Sequence, residues 1–166
     1  MHPIVPLLQL VHSLNRIGGR KKLQKMVHIL KELGAPFNEP FQYSFYGMYS
    51  LQLKNEIAKL EADDLVKEEL ETGWGGHDTY AIFATPVLKE LVDEFNLGEP
   101  PRWADLAHRL NEMSPQKLEG ISTVLFFKRT EQTDAGVKER LLSLKPHLAN
   151  LADDCIATAS MLPSVN

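Results

Sequence analysis

The chain has 166 residues, of which 43% are apolar and 24% charged, with a formal net charge of −4. This fits one ordinary globular domain, or one with a helical extension, and leaves little room for two independent enzymatic domains. The longest apolar runs, such as Val124-Leu125-Phe126-Phe127, are too short to cross a bilayer, and Met1-His2-Pro3 does not open a signal peptide, so a cytoplasmic protein with no membrane partner is expected.

The first predicted element is a helix over residues 4–17, with Leu7, Leu10, Val11 and Leu14 at helical spacing and Gly18-Gly19 as its stop. A basic helix follows from Gly19. In it Leu23, Met26, Val27, Leu30 and Leu33 share one face, and Lys21, Lys25, His28 and Glu32 share the opposite, outward one. Gly34 caps this helix, and residues 41–46 alternate aromatic with polar as a short half-buried strand before Gly47. Ser50 is placed to cap a third helix reaching about residue 62, with Leu53, Ile57 and Leu60 inward and Gln52, Asn55 and Lys59 outward. Residues 65–71 and 79–84 read as a hairpin whose connection contains Gly73-Trp74-Gly75-Gly76.

The remainder reads as helices over 86–96, 103–113, 114–129 and 134–162, the last bent or divided at Lys145-Pro146. The expected fold is therefore α+β and mainly helical. A winged-helix-like core with a small β-hairpin spans 1–84, and a helical extension over 85–166 packs on it. Charge is divided unevenly: residues 1–60 carry eight Lys and Arg against three Asp and Glu, and residues 61–166 carry ten against nineteen. The basic part suits an anionic partner, while the acidic part argues against nucleic acid wrapped around the whole protein.

The stretch from Gly19-Arg20-Lys21-Lys22-Leu23-Gln24-Lys25 through Phe41-Gln42-Tyr43-Ser44-Phe45-Tyr46-Gly47-Met48-Tyr49-Ser50 resembles the YwgA family of uncharacterised bacterial and archaeal proteins. It is more distantly similar to the Panacea domain of SocA-like antitoxins. The shared pattern is a Lys-Leu-Gln-Lys helix followed by an aromatic strand ending in Tyr-Gly-Pro-Tyr. Met48 stands here where proline is usual. The resemblance implies a winged-helix-like core with C-terminal helices and, through the Panacea relatives, neutralisation or adaptor work by protein contact.

Catalytic motifs are absent from the sequence. The six histidines form no His-x-x-x-His pair, and no nucleophile elbow, Walker or dinucleotide fingerprint occurs. Asp63-Asp64 and Asp153-Asp154 read as solvated helix residues, and Cys155, beside Ile156 and Ala157, as a buried thiol. No cofactor is expected. Two binding readings stay open, with a composite-site enzyme as the third. For double-stranded DNA, Gln52, Asn55 and Lys59 of the third helix would reach base edges and Lys54 a phosphate, with Arg16, Arg20, Lys21, Lys22 and Lys25 on the flanking backbone. Against it, Glu68, Glu69 and Glu71 make the wing acidic. For a protein partner or self-association, Tyr43, Phe45, Tyr46 and Tyr49, with Trp74 in the hairpin connection, would furnish the aromatic anchors, Trp74 and Tyr49 first, although strand spacing suits most of these rings to the core.

Overall fold

A computed structural model describes residues 1–72, 76 and 78–166. Its first helix, α1 (Val5–Leu14), has proline in its first turn and ends at Asn15, which adopts a left-handed φ of 62° and returns its N–H to Val11 O. The helix expected to reach residue 17 therefore stops earlier. Asparagine tolerates the left-handed region, and its carbonyl accepts the Ala84 N–H at 3.0 Å. Arg16–Ile17 is thereby turned into a short strand, β1.

Gly19, at φ 120°, leads into α2 (Arg20–Glu32). The next expectation is also corrected: residues 41–46 do not make one strand. They form β2 (Gln42–Ser44), which pairs antiparallel with β3 (Gly47–Tyr49) across a turn at Phe45-Tyr46. Gly47 has φ 87°, a conformation that glycine enters without the Cβ penalty.

Ser50 caps α3 (Leu51–Ala62) as expected, its Oγ accepting the Leu53 N–H at 3.1 Å. The hairpin β4 (Val66–Thr72) and β5 (Asp78–Ala84) follows. β1 adds to it antiparallel, giving the order β1-β5-β4, with Ile17 opposite Ile82 and Val66 opposite Ala84.

The C-terminal part contains α4 (Pro86–Glu94), α5 (Ala104–Asn111), α6 (Pro115–Phe127), α7 (Asp134–Leu144), a 3-10 segment (Pro146–Leu151) and α8 (Ala152–Met161). Thr85, Ser114 and Thr133 side chains cap α4, α6 and α7. Pro146 follows the end of α7 and divides the 134–162 segment where the sequence indicated. α6 meets α8 closely, because a side chain on Gly120 would run into Cys155 Sγ.

One apolar core joins both parts of the chain. Leu7, Leu10, Ile17, Leu23, Met26, Ile29 and Leu30 belong to the same buried cluster as Leu110, Leu118, Ile121, Phe127 and Cys155. Trp103 packs on Phe37 with ring centroids 5.2 Å apart. No helix among the described residues is long and apolar enough to cross a membrane.

Candidate binding surface

The largest departure from the sequence reading concerns the polar face of α2. Of Lys21, Lys25, His28 and Glu32, all expected outward, Lys21 alone is exposed. Lys25 and His28 retain 3% and 1% of their surface, because the β2–β3 hairpin and α6 cover them. Lys25 Nζ donates to Tyr46 O at 2.9 Å and Met48 O at 2.8 Å, so the buried ammonium holds the hairpin down. Burial lowers its pKa to about 8. His28 Nδ1 lies 2.6 Å from Ser122 Oγ, and its ring meets Phe41 at 5.2 Å. Burial also pushes the His28 pKa down, against the pull of Glu32. Glu32 in turn pairs with Arg129.

The remaining cations divide into engaged and open. Lys22 is buried, its Nζ donating to Asn111 O at 2.6 Å. Arg16 pairs with Glu71, and Arg20 pairs with Glu68 and, at 3.2 Å, with Glu61. Of the glutamates on β4 that stand against phosphate, Glu68 and Glu71 are thus matched by Arg20 and Arg16, and Glu69 pairs with Lys67 at 2.9 Å. On α3, Gln52, Lys54, Asn55 and Lys59 all face solvent, as the helical period required, with Lys59 3.2 Å from Asp63. Gln24 ties this helix to α2: its amide donates to Ser50 O at 2.9 Å and accepts from Ser50 N–H at 2.8 Å. Trp74 lies outside the described residues.

Between α2 and α3, under one flank of the β2–β3 hairpin, is a groove of about 300 Å³. Leu23, Leu53 and Ile57 form its apolar wall, Tyr46 and the half-buried Tyr49 its roof, and Arg20, Lys21 and Lys54 its cationic border, with the buried Lys25 at its back. No carboxylate lines it. At the hairpin turn Phe45 and Tyr46 are 89% and 71% exposed and meet edge to face at 5.2 Å, and Leu51 beside them is 61% exposed. An apolar cleft next to exposed aromatic rings is a surface built to lose water on contact with another molecule. The sequence offered Tyr43, Phe45, Tyr46 and Tyr49 together as aromatic candidates. Which of them stand exposed was not legible, because a continuous half-buried strand was expected where the chain turns.

A second cavity, of about 560 Å³, lies on the opposite flank of the hairpin and is lined in part by Glu119, Lys145 and His147. These residues carried no sequence signal. Lys145 and His147 stand 26 and 28 positions after Glu119 in the chain, and only the packing of α6 against the segment after α7 brings them to it.

Over 139 residues, 84% of this chain and 81% of the relative, the sequence is 32% identical to the uncharacterized protein YwgA of Bacillus subtilis (strain 168). No family model matches the chain, and no solved structure matches it.

Proposed function

Since the chain belongs to the YwgA family, whose Bacillus subtilis member is described as uncharacterized, function must come from geometry, and we propose that this is a non-enzymatic adaptor that captures a protein segment. The supporting observation is the juxtaposition of the exposed Phe45-Tyr46 pair with the cation-bordered groove between α2 and α3. An apolar side chain of the partner fills the groove against Leu53 and Ile57. Acidic residues beside it meet Lys21 and Lys54, while Phe45 and Tyr46 close over the contact. Such a module works as an antitoxin-type or regulatory binder, by occupying its partner.

Selection of displayed random peptides on the immobilised protein tests this reading. The expected winners combine a large apolar residue with Asp or Glu, and lose binding to Phe45→Ser/Tyr46→Ser and to Lys54→Glu. Winners that bind these variants as well as the parent would overturn it.

A second reading, DNA binding, is favoured by the element order. The order α1, β1, α2, α3 and the β4–β5 hairpin, with β1 paired to β5, is compatible with a winged helix that carries the β2–β3 hairpin as an insertion between α2 and α3. Its third helix presents Gln52, Lys54, Asn55 and Lys59 to solvent. In this reading Lys22 and Lys25 are structural, and the phosphate contacts fall to Lys21, Lys54 and Lys59. Anisotropy against a mixed-sequence duplex should then weaken steeply with salt and be abolished by alanine at those three positions. Absence of binding at low salt would remove this reading.

A further inference from the structure

The cavity on the far flank of the hairpin has an unbalanced charge. Glu119 and Lys145 lie at its base with only 5% of each side chain exposed, Lys145 Nζ standing 3.2 Å from Glu119 Oε1. Two further basic groups converge on the same carboxylate: His147 Nε2 at 3.4 Å from Oε1, and Lys21 Nζ at 3.6 Å from Oε2. Lys25 lies immediately behind. A carbon placed at the Cβ position of Gly47 would sit 3.3 Å from Lys25 Nζ, 3.6 Å from Lys145 Nζ and 3.9 Å from Thr123 Oγ1. That Thr123 hydroxyl is buried and has no hydrogen-bond partner.

Two ammonium groups and an imidazole therefore converge on one carboxylate, with the Lys25 ammonium behind them already donating to Tyr46 O and Met48 O. The buried Lys145 is paired with Glu119 at the base, and the exposed Lys21 and His147 stand farther from that carboxylate, where both can reach a ligand. The neighbouring cations hold the Glu119 carboxyl below its usual range, so it stays ionised and orients the lysines. The open side of the cavity is walled by Tyr43 and Leu144, with the Tyr43 ring stacked on Phe126 and fixed in place. A metal cation is a poor occupant of a site with this surplus of positive charge. A small anion with a flat or apolar body is a good one.

We propose that this cavity is a binding site for a small organic anion, whose phosphate or carboxylate oxygens are held by Lys21, Lys145 and His147 and whose body packs against Tyr43 and Leu144. The anion supplies the negative charge that Glu119 leaves wanting. Lys145 Nζ also reaches Phe45 O at 3.5 Å, so occupancy steadies the hairpin turn from the side opposite the protein-binding groove.

Thermal denaturation and calorimetric titration of the full chain test the site. Inorganic phosphate, adenosine 5′-monophosphate, 4-hydroxybenzoate and neutral adenosine serve as probes, each against sodium chloride at equal ionic strength. The expected result is a saturable rise in Tm with at least one organic anion, which binds at least tenfold more tightly than inorganic phosphate, and none with adenosine. Comparison of the monophosphate with the benzoate separates a phosphate site from a carboxylate site. Lys21→Ala and His147→Ala change exposed side chains, so both should fold normally and weaken binding at least fivefold; Lys145→Met should abolish it if it folds. The proposal is overturned if no anion exceeds the chloride control, if phosphate alone binds as tightly as the organic anions, or if Lys21→Ala and His147→Ala bind like the parent. Lys21, Phe45 and Tyr46 border this cavity as well, so the peptide reading is told apart by residues that line one cavity alone: His147→Ala should leave peptide capture unchanged, and Lys54→Glu should leave anion binding unchanged.

Discussion

α2 and α3 carry the same kind of sequence, an apolar stripe with lysines at helical spacing on the other side, yet their polar faces have opposite fates. On α3 the polar face stays wet: Gln52, Lys54, Asn55 and Lys59 are exposed, and only Leu53, Ile57 and Leu60 are buried. On α2 nine of thirteen residues are buried, including Lys22, Gln24, Lys25 and His28. Helical periodicity says which residues share a face. It cannot say whether a second layer will cover the polar one, because that depends on chain far away, here the β2–β3 hairpin and α6. A lysine buried in this way acts as a donor to backbone carbonyls, not as a surface charge.

The difference is sharpest in the response to losing a lysine. Lys25→Ala strips two buried carbonyls, Tyr46 O and Met48 O, of their donor and removes the packed stem. The expected loss in urea denaturation is about 2–4 kcal/mol, the relieved burial of the ammonium offsetting part of it. Lys54→Ala, at an exposed position of α3, should cost less than about 0.5 kcal/mol. Equal costs would show that the hairpin does not rest on Lys25.

The hairpin can also be attacked from its own side. Gly47→Ala places a Cβ 3.3 Å from the anchored Lys25 Nζ while forcing a φ of 87° on an L residue. About 1–3 kcal/mol of destabilisation is expected. Combined with Lys25→Ala the two losses should fall short of additive, since both act on one contact.

A pH titration of stability separates the helices by sign. His28 on α2 has its folded pKa pushed down by burial. The unfolded chain therefore takes up its proton first, and this contribution is present above about pH 6.5 and lost as the pH falls below it. Glu56 on α3 behaves in the reverse way, its pKa raised to about 7 by burial and by the neighbouring Glu39 carboxyl. The folded chain holds that proton more tightly, so its contribution is full below about 4.5 and lost as the pH rises to 7. Glu56→Gln should flatten the alkaline side of the profile and raise Tm at pH 8, whereas His28→Asn should flatten the acid side. An unchanged slope between pH 5 and 7 in Glu56→Gln would exclude a raised Glu56 pKa as its source.

Much of this arrangement was legible in the sequence where the signal is local. Ser50 and the Ser114-Pro115 pair mark helix starts by chemistry that acts within one turn, and Pro146 divides the last helical segment by lacking an N–H. The outward set on α3 followed from its period. Features that depend on distant chain were not legible. Asn15 leaves the helix because β5 offers a partner for its carbonyl, residues 45 and 46 turn outward because Lys25 grips the backbone beneath them, and Glu119 meets His147 only through packing of α6.

The smallest expected effect concerns Arg16 on β1 and Arg20 at the start of α2, which face the β4–β5 hairpin and α3. Arg20 pairs with Glu61 on α3 and Glu68 on β4, and Arg16 with Glu71, at positions that solvent reaches. Exposed pairs contribute about 0–1 kcal/mol and are screened by salt, so Arg20→Ala should change stability little. Its consequence lies in charge. Removing Arg20 frees Glu61 and Glu68 beside the groove, and an acidic peptide bound there should dissociate several-fold faster, the more so at low salt. Glu68→Gln makes the opposite change, leaving Arg20 with one partner, and should tighten the same peptide. If both variants bind like the parent, the cationic border of the groove does not select its partner, and the apolar wall of Leu53 and Ile57 carries recognition alone.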